Sequence, residues 1–343
     1  MPDCGSQIVL CDLPIRMDTY KGCTHDCKYC FTYRKYDIKS IKTNDGPECL
    51  LNFIQGKRIE NTRWCDWNIP IHIGGLSDPF QPVEKQKRIT YKCLELLAKY
   101  KYPFVISTKS TLPATTEYLE ILSKCNFVYQ VSMLCSEYDK LETGAPSYEE
   151  RLKSLKPISK IAKRVIIRLQ PYIVDYHKQI LANIKRIKDQ GIYGVVIEGV
   201  KMHKATPGLV KIGADFCYPK KLLEQKFLEI KTECKKYGLA FFCGENRLRY
   251  LGDSLCCCGT EGLDGYRHNT ANLNHYLYDR ENFVFTELMK SPKTATPFRA
   301  ICQRAGAGRV LAQASYESIM ESCTRDKDKI KIFLGEDYPL AIT

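Results

Sequence analysis

Apolar residues along this chain fall into two kinds of run. Short continuous runs at Ile69-Pro70-Ile71-His72-Ile73, Phe104-Val105-Ile106, Phe127 to Met133, Arg164 to Leu169, Tyr193 to Val200 and Leu239 to Cys243 read as strands. Continuous rather than alternating character predicts strands covered on both faces. Between them, Glu84 to about Lys101, Leu112 to Lys124, Ser147 to Lys163, His177 to Gln190 and Lys220 to Tyr237 carry helical spacing, with Gly191 as a stop signal. A weaker helical pattern covers 49–61, and Ile8-Val9-Leu10 with Leu13-Pro14-Ile15 supply a first strand inside 8–21. Strands alternating with helices predict an α/β fold with parallel strands and helical crossovers. A chain of 343 residues suits one barrel-like domain or two smaller ones.

Polar residues recur where the strand runs stop, at Ser77, Lys109, Ser132, Arg168 and Glu198. In α/β barrels the functional groups gather at that C-terminal rim. The run ending at Ile73 passes into Gly74-Gly75, which admits close backbone approach by a ligand or simply serves a tight turn.

The densest chemistry lies at Gly22-Cys23-Thr24-His25-Asp26-Cys27-Lys28-Tyr29-Cys30-Phe31. Three thiolates in so short a span wrap one inorganic centre if the backbone makes a tight loop, which Gly22 and Asp26 favour. Thiolates select zinc, copper(I) or iron–sulfur clusters. Zinc would want a fourth ligand, for which His25 is available. A [4Fe–4S] cluster on three cysteines instead leaves one iron open to a cofactor.

The C-x3-C-x-aromatic-C spacing of Cys23, Cys27, Tyr29 and Cys30 resembles the signature of the radical S-adenosylmethionine (SAM) enzymes. That resemblance implies a partial (β/α)6 TIM-like barrel and a SAM-chelating [4Fe–4S] cluster. It also implies reductive cleavage to a 5′-deoxyadenosyl radical, and an electron donor such as flavodoxin or ferredoxin. Together with G-G-L-S-D-P-F-Q-P-x-E at 74–84 and S-T-K-S at 107–110, the loop resembles a narrower family, spore photoproduct lyase and its DNA-repair-photolyase-like relatives. The likeness runs from residue 15 to about 200. Carried over, it puts Ser77 and Lys109 at the SAM carboxylate, Gly74 and Gly75 at the aminocarboxylate edge, Ser132 near the methionine or ribose, Tyr29 at the adenine and Arg168 at the rim. Two positions depart. The lyase family has a cysteine hydrogen donor where this chain has Gly75-Leu76, and a tyrosine where it has Phe31.

A second cysteine group, Cys243 with Cys256-Cys257-Cys258, suggests an auxiliary iron–sulfur cluster, a zinc site or plain buried thiols. Three consecutive cysteines do not readily converge on one centre. The expectation is therefore two of them with Cys243 and a distant thiol such as Cys217 or Cys302. Residues 1–240 are expected to form the barrel core, and 241–343 a cysteine-rich capping or substrate region. In that region Tyr266-Arg267-His268, Lys290-Ser291-Pro292-Lys293 and Gly306-Ala307-Gly308-Arg309 interleave bases with aromatics and glycines.

Composition narrows the partners. A net charge of +13 implies attraction to polyanions such as nucleic acid, or to acidic peptides, unless it reflects a lysine-rich proteome. Eighteen cysteines in so large a chain read as reduced thiols, some of them metal ligands. No run of apolar residues is long enough to span a membrane, and the first seven residues lack the form of a secretory leader, so a cytoplasmic location is expected. The reading is a radical SAM enzyme of lyase or oxidoreductase type acting on a nucleic acid base or nucleotide. The alternatives are a peptide-modifying radical SAM enzyme with an auxiliary cluster, and a non-catalytic zinc-stapled nucleic-acid-binding protein.

Overall fold

The structure, a computed structural model, describes residues 1–3, 11–34, 37–59, 62, 69–212, 215–270, 272–279 and 281. Cys302 and the basic segments at 290–293 and 306–309 lie outside the described residues.

Seven parallel strands form one sheet: β1 Arg16–Met17, β2 Ile71–Ile73, β3 Phe104–Thr108, β4 Phe127–Ser132, β5 Arg164–Tyr172, β6 Gly194–Gly199 and β7 Ala240–Cys243. They pair strictly in chain order, so each crossover returns to the next position. Among the described residues β1 and β7 do not pair with each other, and the barrel stays open between them. The run expected at Leu239 to Cys243 forms β7 beside β6, one strand beyond the six that the resemblance implies, with Phe241 opposite Val195 and Cys243 opposite Ile197. It straddles the expected boundary at residue 240.

Alternation of side chains along each strand separates two cores. Ile71, Ile73, Phe104, Ile106, Phe127, Tyr129, Ile167 and Ile197 face outward onto helices α1 Gly46–Ile54, α2 Ile89–Tyr100, α3 Thr116–Leu122, α4 Tyr148–Ser159, α5 His177–Lys188 and α6 Lys220–Lys236. Val105, Val128, Ile166, Val196 and Phe242 face the barrel interior. Both faces of the sheet are thus buried, which is why the strand sequences run continuously apolar.

Two expected helices are shorter for identifiable reasons. The run from Glu84 breaks into a single turn, Glu84–Lys87, and α2, with Arg88 left-handed at φ 55° between them. Glu84 causes the break. Its buried carboxylate accepts from the backbone N–H groups of Thr90 (3.0 Å) and Tyr91 (2.8 Å) and from the hydroxyls of Tyr20 and Tyr118, capping α2 from the side. The run from Leu112 begins as a short 3-10 turn, Leu112–Ala114, before α3. Helix α4 starts where its capping box lies, Ser147 and Glu150 bonding reciprocally. Among the described residues no helix is long and apolar enough to cross a membrane.

Candidate functional site

The three loop cysteines follow β1 and lie over the C-terminal ends of the strands. Gly22 (φ 91°) and Asp26 (φ 48°) both adopt left-handed conformations, as the tight loop requires. Cys27 lies within electrostatic reach of both Cys23 and Cys30. Burial first, then Asp78, pushes the Cys23 thiol up to about 11. Burial pushes Cys27 up to about 12 against the opposing charge of Lys109. The backbone N–H groups of His25 and Asp78 oppose the rise at Cys23. Such thiols stay protonated until a cation displaces the protons, as metal-ligating cysteines do.

Three neighbouring segments grip this loop. Gln81, fully buried, accepts from Thr24 N (3.1 Å) and donates to Gly22 O (3.0 Å). Asp78 accepts from Lys109 N (2.6 Å), Thr108 Oγ1 (2.7 Å) and Phe80 N (2.9 Å), and stands 3.0 Å from His25 Nε2. The segment after β4 supplies the third grip: Cys27 bridges Glu142, Lys28 N donates to Leu141 O (2.9 Å) and Gly144 N donates to His25 O (3.0 Å). A side chain on Gly144 would stand 2.2 Å from Thr24 O. Glu142 is itself 1 % exposed, and carries Arg151 at 2.5 Å, the Tyr29 hydroxyl and Lys109 Nζ at 3.9 Å. Asp78, Gln81, Glu142 and Gly144 were missed as site residues. For the first two, their place inside the G-G-L-S-D-P-F-Q-P-x-E motif was the available signal.

This geometry bears on the expected roles one by one. His25, the candidate fourth zinc ligand, instead pairs with Asp78 and, through Nδ1, with Gly144 O at 3.1 Å. Among the described residues no group of three or more His, Cys, Asp or Glu side chains stands ready-made to hold a single metal ion. Lys109 lies beside the loop, its ammonium 5.8 Å from the Tyr29 ring centre. Tyr29 packs edge-on against Tyr138, with its hydroxyl committed to Glu142. The Ser77 hydroxyl donates to Tyr20 O at 2.6 Å, so it fastens the strand end to the chain entering the loop. The Ser132 carbonyl accepts from Arg151 Nη1 at 2.6 Å.

The two glycines differ. Gly74 sits at φ 92° with Ser107 O only 2.2 Å from where a Cβ would be, while Gly75 has no atom nearer than 3.6 Å. Gly74 is therefore required by the fold alone. Gly74→Ala is expected to cost about 2–4 kcal/mol in urea unfolding, and Gly75→Ala much less.

Below the rim, the interior is polar and continuous. His72 Nε2 and Ser107 Oγ are 2.6 Å apart, Ser107 Oγ donates to Gln130 Oε1 (3.0 Å), and Arg168 Nη1 donates to the same oxygen (2.6 Å). Arg168 also reaches Gln170, which donates to Glu198, and Glu198 pairs with Lys201. Burial, with the nearby Arg16 and Arg168 charges, holds the His72 imidazole well below its ordinary value and therefore neutral.

The second cysteine group does not assemble as expected. Cys243 follows Phe242, which faces the interior, so alternation turns Cys243 outward, where its sulfur donates to Glu245 O at 3.6 Å. Cys217 lies near Glu245 and Lys201. Cys256, Cys257 and Cys258 turn into the interior and there meet Cys11.

No family model matches the sequence, and no curated protein matches it. Solved structures do. Spore photoproduct lyase complexed with dinucleoside spore photoproduct superimposes at TM-score 0.56 with 11% identity, covering 71% of this chain and 78% of that one. The chain has the fold of spore photoproduct lyase. A variant of that lyase with bound AdoMet and dinucleoside spore photoproduct gives a TM-score of 0.53 at 10% identity over the same shares of the two chains. Streptococcus suis SuiB bound to S-adenosylmethionine gives 0.49 at 14% identity, over 69% of this chain and 52% of SuiB. The expected α/β partial barrel is borne out by the sheet and by the likeness to the lyase.

Proposed function

We propose that this protein is a radical SAM enzyme whose [4Fe–4S] cluster is held by Cys23, Cys27 and Cys30. The observation that carries this reading is the loop itself. Its three thiols are buried or half-buried, Cys27 lies within electrostatic reach of the other two, and the loop is fastened to the strand ends. The neighbouring histidine is tied to Asp78 and Gly144 O, so it does not complete a zinc site. When bound, the cluster and SAM supply a 5′-deoxyadenosyl radical for hydrogen abstraction.

The chain's own groups then have definable tasks. Asp78 and Gln81 keep the loop in place over the barrel mouth. Lys109 offers an ammonium beside the loop for a carboxylate, with Glu142 and Tyr29 fixing its direction. Arg168, Gln130, Gln170, Glu198 and Lys201 line the interior with donors and acceptors suited to a polar substrate. Gly75 stands where the lyase family has its thiol hydrogen donor, so the reading does not include a self-contained lyase cycle.

For the substrate, the net charge of +13 and the fold shared with a lyase solved on a dinucleoside product favour a nucleic acid base or nucleotide. A second iron–sulfur cluster or zinc at the C-terminal cysteines and an outside one-electron donor belong to the same reading. Anaerobically reconstituted protein with dithionite and SAM is expected to release 5′-deoxyadenosine. DNA or RNA is expected to bind with an affinity that falls steeply with salt. Absence of 5′-deoxyadenosine rejects the enzyme, and salt-independent or absent binding rejects the substrate class. Lys109→Met is expected to raise KM for SAM about tenfold, the worth of one charge-assisted bond, with iron per chain unchanged.

A further inference from the structure

The parallel sheet fixes where the helices end. Every strand runs the same way and a helix returns the chain for the next, so the C-terminal ends of α2 to α6 all lie at the barrel floor, opposite the cysteine loop. Lys101, Lys124, Lys160, Lys163, Lys188 and Lys235 stand at those ends, all exposed. Backbone bonds across the strand starts join the loops that carry them into one rim. Phe104 N donates to Asn126 O (3.2 Å), Lys163 N to Phe127 O (3.0 Å), Tyr193 N to Val165 O (3.0 Å) and Ala240 N to Tyr193 O (3.0 Å). Lys101 Nζ donates to Lys124 O at 2.8 Å. A Cβ on Gly191 would stand 2.8 Å from Ser159 Oγ, so the ends of α4 and α5 abut, with Lys160 and Lys188 beside them.

The two ends of the barrel differ in charge pairing. At the mouth, cations face acids: Arg88 and Glu117 at 2.5 Å, Arg151 and Glu142 at 2.5 Å, Arg247 and Glu245 at 3.0 Å, Lys109 and Glu142 at 3.9 Å, and Lys201 with Glu198. At the floor Lys236 pairs with Glu233 (2.6 Å), but among the described residues the six lysines have no ion-pair partner. The exposed Asp189 and Asp264 nearby pair with none of them. Helix dipoles explain part of this, since they favour cations in the last turn. That pull fades within the turn, and Lys101, Lys124, Lys160 and Lys163 lie past the last helical residue. Unpaired like charges gathered on one face attract a polyanion.

We propose that the barrel floor binds a single-stranded nucleic acid through its phosphates, as an anchoring site on the side away from the cysteine loop. Two tyrosines favour nucleic acid over an anionic membrane. Among the described residues the exposed large apolar side chains of this face are Tyr100 and Tyr193, 37 % and 40 % exposed, and Arg164 lies 4.0 Å from the Tyr193 ring centre. Rings set among cations suit base stacking, whereas a face that enters a bilayer presents a broad apolar surface. The site deepens the nucleic-acid reading of the substrate but needs neither cluster nor SAM, so it stands apart from the radical chemistry.

The test follows the fluorescence anisotropy of a labelled oligo(dT) with the full chain across a salt series. Lys160→Glu with Lys163→Glu and Lys188→Glu is expected to weaken binding about tenfold to a hundredfold and to reduce the salt slope by about 2, the worth of three phosphate contacts. Lys204→Glu with Lys211→Glu, exposed beyond β6 at the mouth, is expected to change affinity less than about twofold. Both variants should release 5′-deoxyadenosine with dithionite and SAM as the unaltered chain does. Circular dichroism checks the fold. Should the glutamates unfold the helix ends, the corresponding glutamine variants are expected to weaken binding in the same direction by a smaller factor. Affinity unchanged in the floor variants would overturn the proposal and leave the nucleic-acid reading standing. So would a loss confined to the mouth variant, or floor-dependent binding of phosphatidylglycerol vesicles or polyglutamate in place of oligo(dT). Failure of the unaltered chain to bind oligo(dT) would reject both.

Discussion

A chain in which Cys23, Cys27 and Cys30 are all alanine is expected to form no 5′-deoxyadenosine above the protein-free background, and to hold none of the iron that reconstitution places at this loop. The effect is complete because the loop keeps no thiolate, and no other described side chain stands ready to replace one. His25 is held between Asp78 and Gly144 O, and Asp78 is itself occupied by four partners. Single alanine variants are expected to fall nearly as far, since residues acting as one unit are strongly non-additive. The measurements are iron per chain and 5′-deoxyadenosine by chromatography under anaerobic dithionite. The fold should survive, because the loop lies over the strand ends and contributes little to either core. A triple variant that still makes 5′-deoxyadenosine would refute the assignment of the cluster.

Asp78→Ala is expected to be the most damaging single change for stability, costing about 3–5 kcal/mol by urea unfolding. Asp78 is 7 % exposed, and its loss strands His25, the Thr108 hydroxyl and the Lys109 N–H without their acceptor. Against a typical total of about 5–15 kcal/mol that is a large share. Since the same carboxylate joins the cysteine loop to β3, iron retention should fall with stability. A pH dependence identifies the cause. Burial pushes the Asp78 carboxyl up, but the His25 charge and its hydrogen bonds from His25, Lys109 N and Thr108 outweigh that and hold it at about 2, below its ordinary 3.8. The sign for a depressed carboxyl is that the stabilisation is full above its unfolded value and is lost as pH falls through the folded one. The unaltered chain should therefore lose about 2 kcal/mol more than Asp78→Asn as pH drops from about 5 to about 2. Parallel pH curves for the two proteins would mean that Asp78 is not the hub.

Much of the architecture could be read from the residues in order. Continuous apolar runs separated by helical ones specify parallel strands with covered faces, because side-chain alternation and the need for helical crossovers act locally. The cysteine loop was legible for the same reason: three ligands within one loop are close whatever the rest of the chain does. Where local rules met a distant partner they gave way. The helix from Glu84 breaks at Arg88 because that carboxylate caps α2 and takes the hydroxyls of Tyr20 and Tyr118, residues from two other segments.

Only the tertiary structure could decide how far each polar residue of the motif is already engaged. Ser77 fastens Tyr20, Asp78 and Gln81 hold the loop, and Glu142 arrives from beyond β4 with no sequence signal that links it to Cys27. The second cysteine group shows the same division most plainly. Three adjacent thiols announced themselves in the sequence, but strand alternation turned Cys243 away and chain closure brought in Cys11 from the far end. Chemistry that depends on neighbours in sequence is written in the sequence. Which distant side chains satisfy it follows from how the sheet curls and what fills its interior, a property of the whole chain.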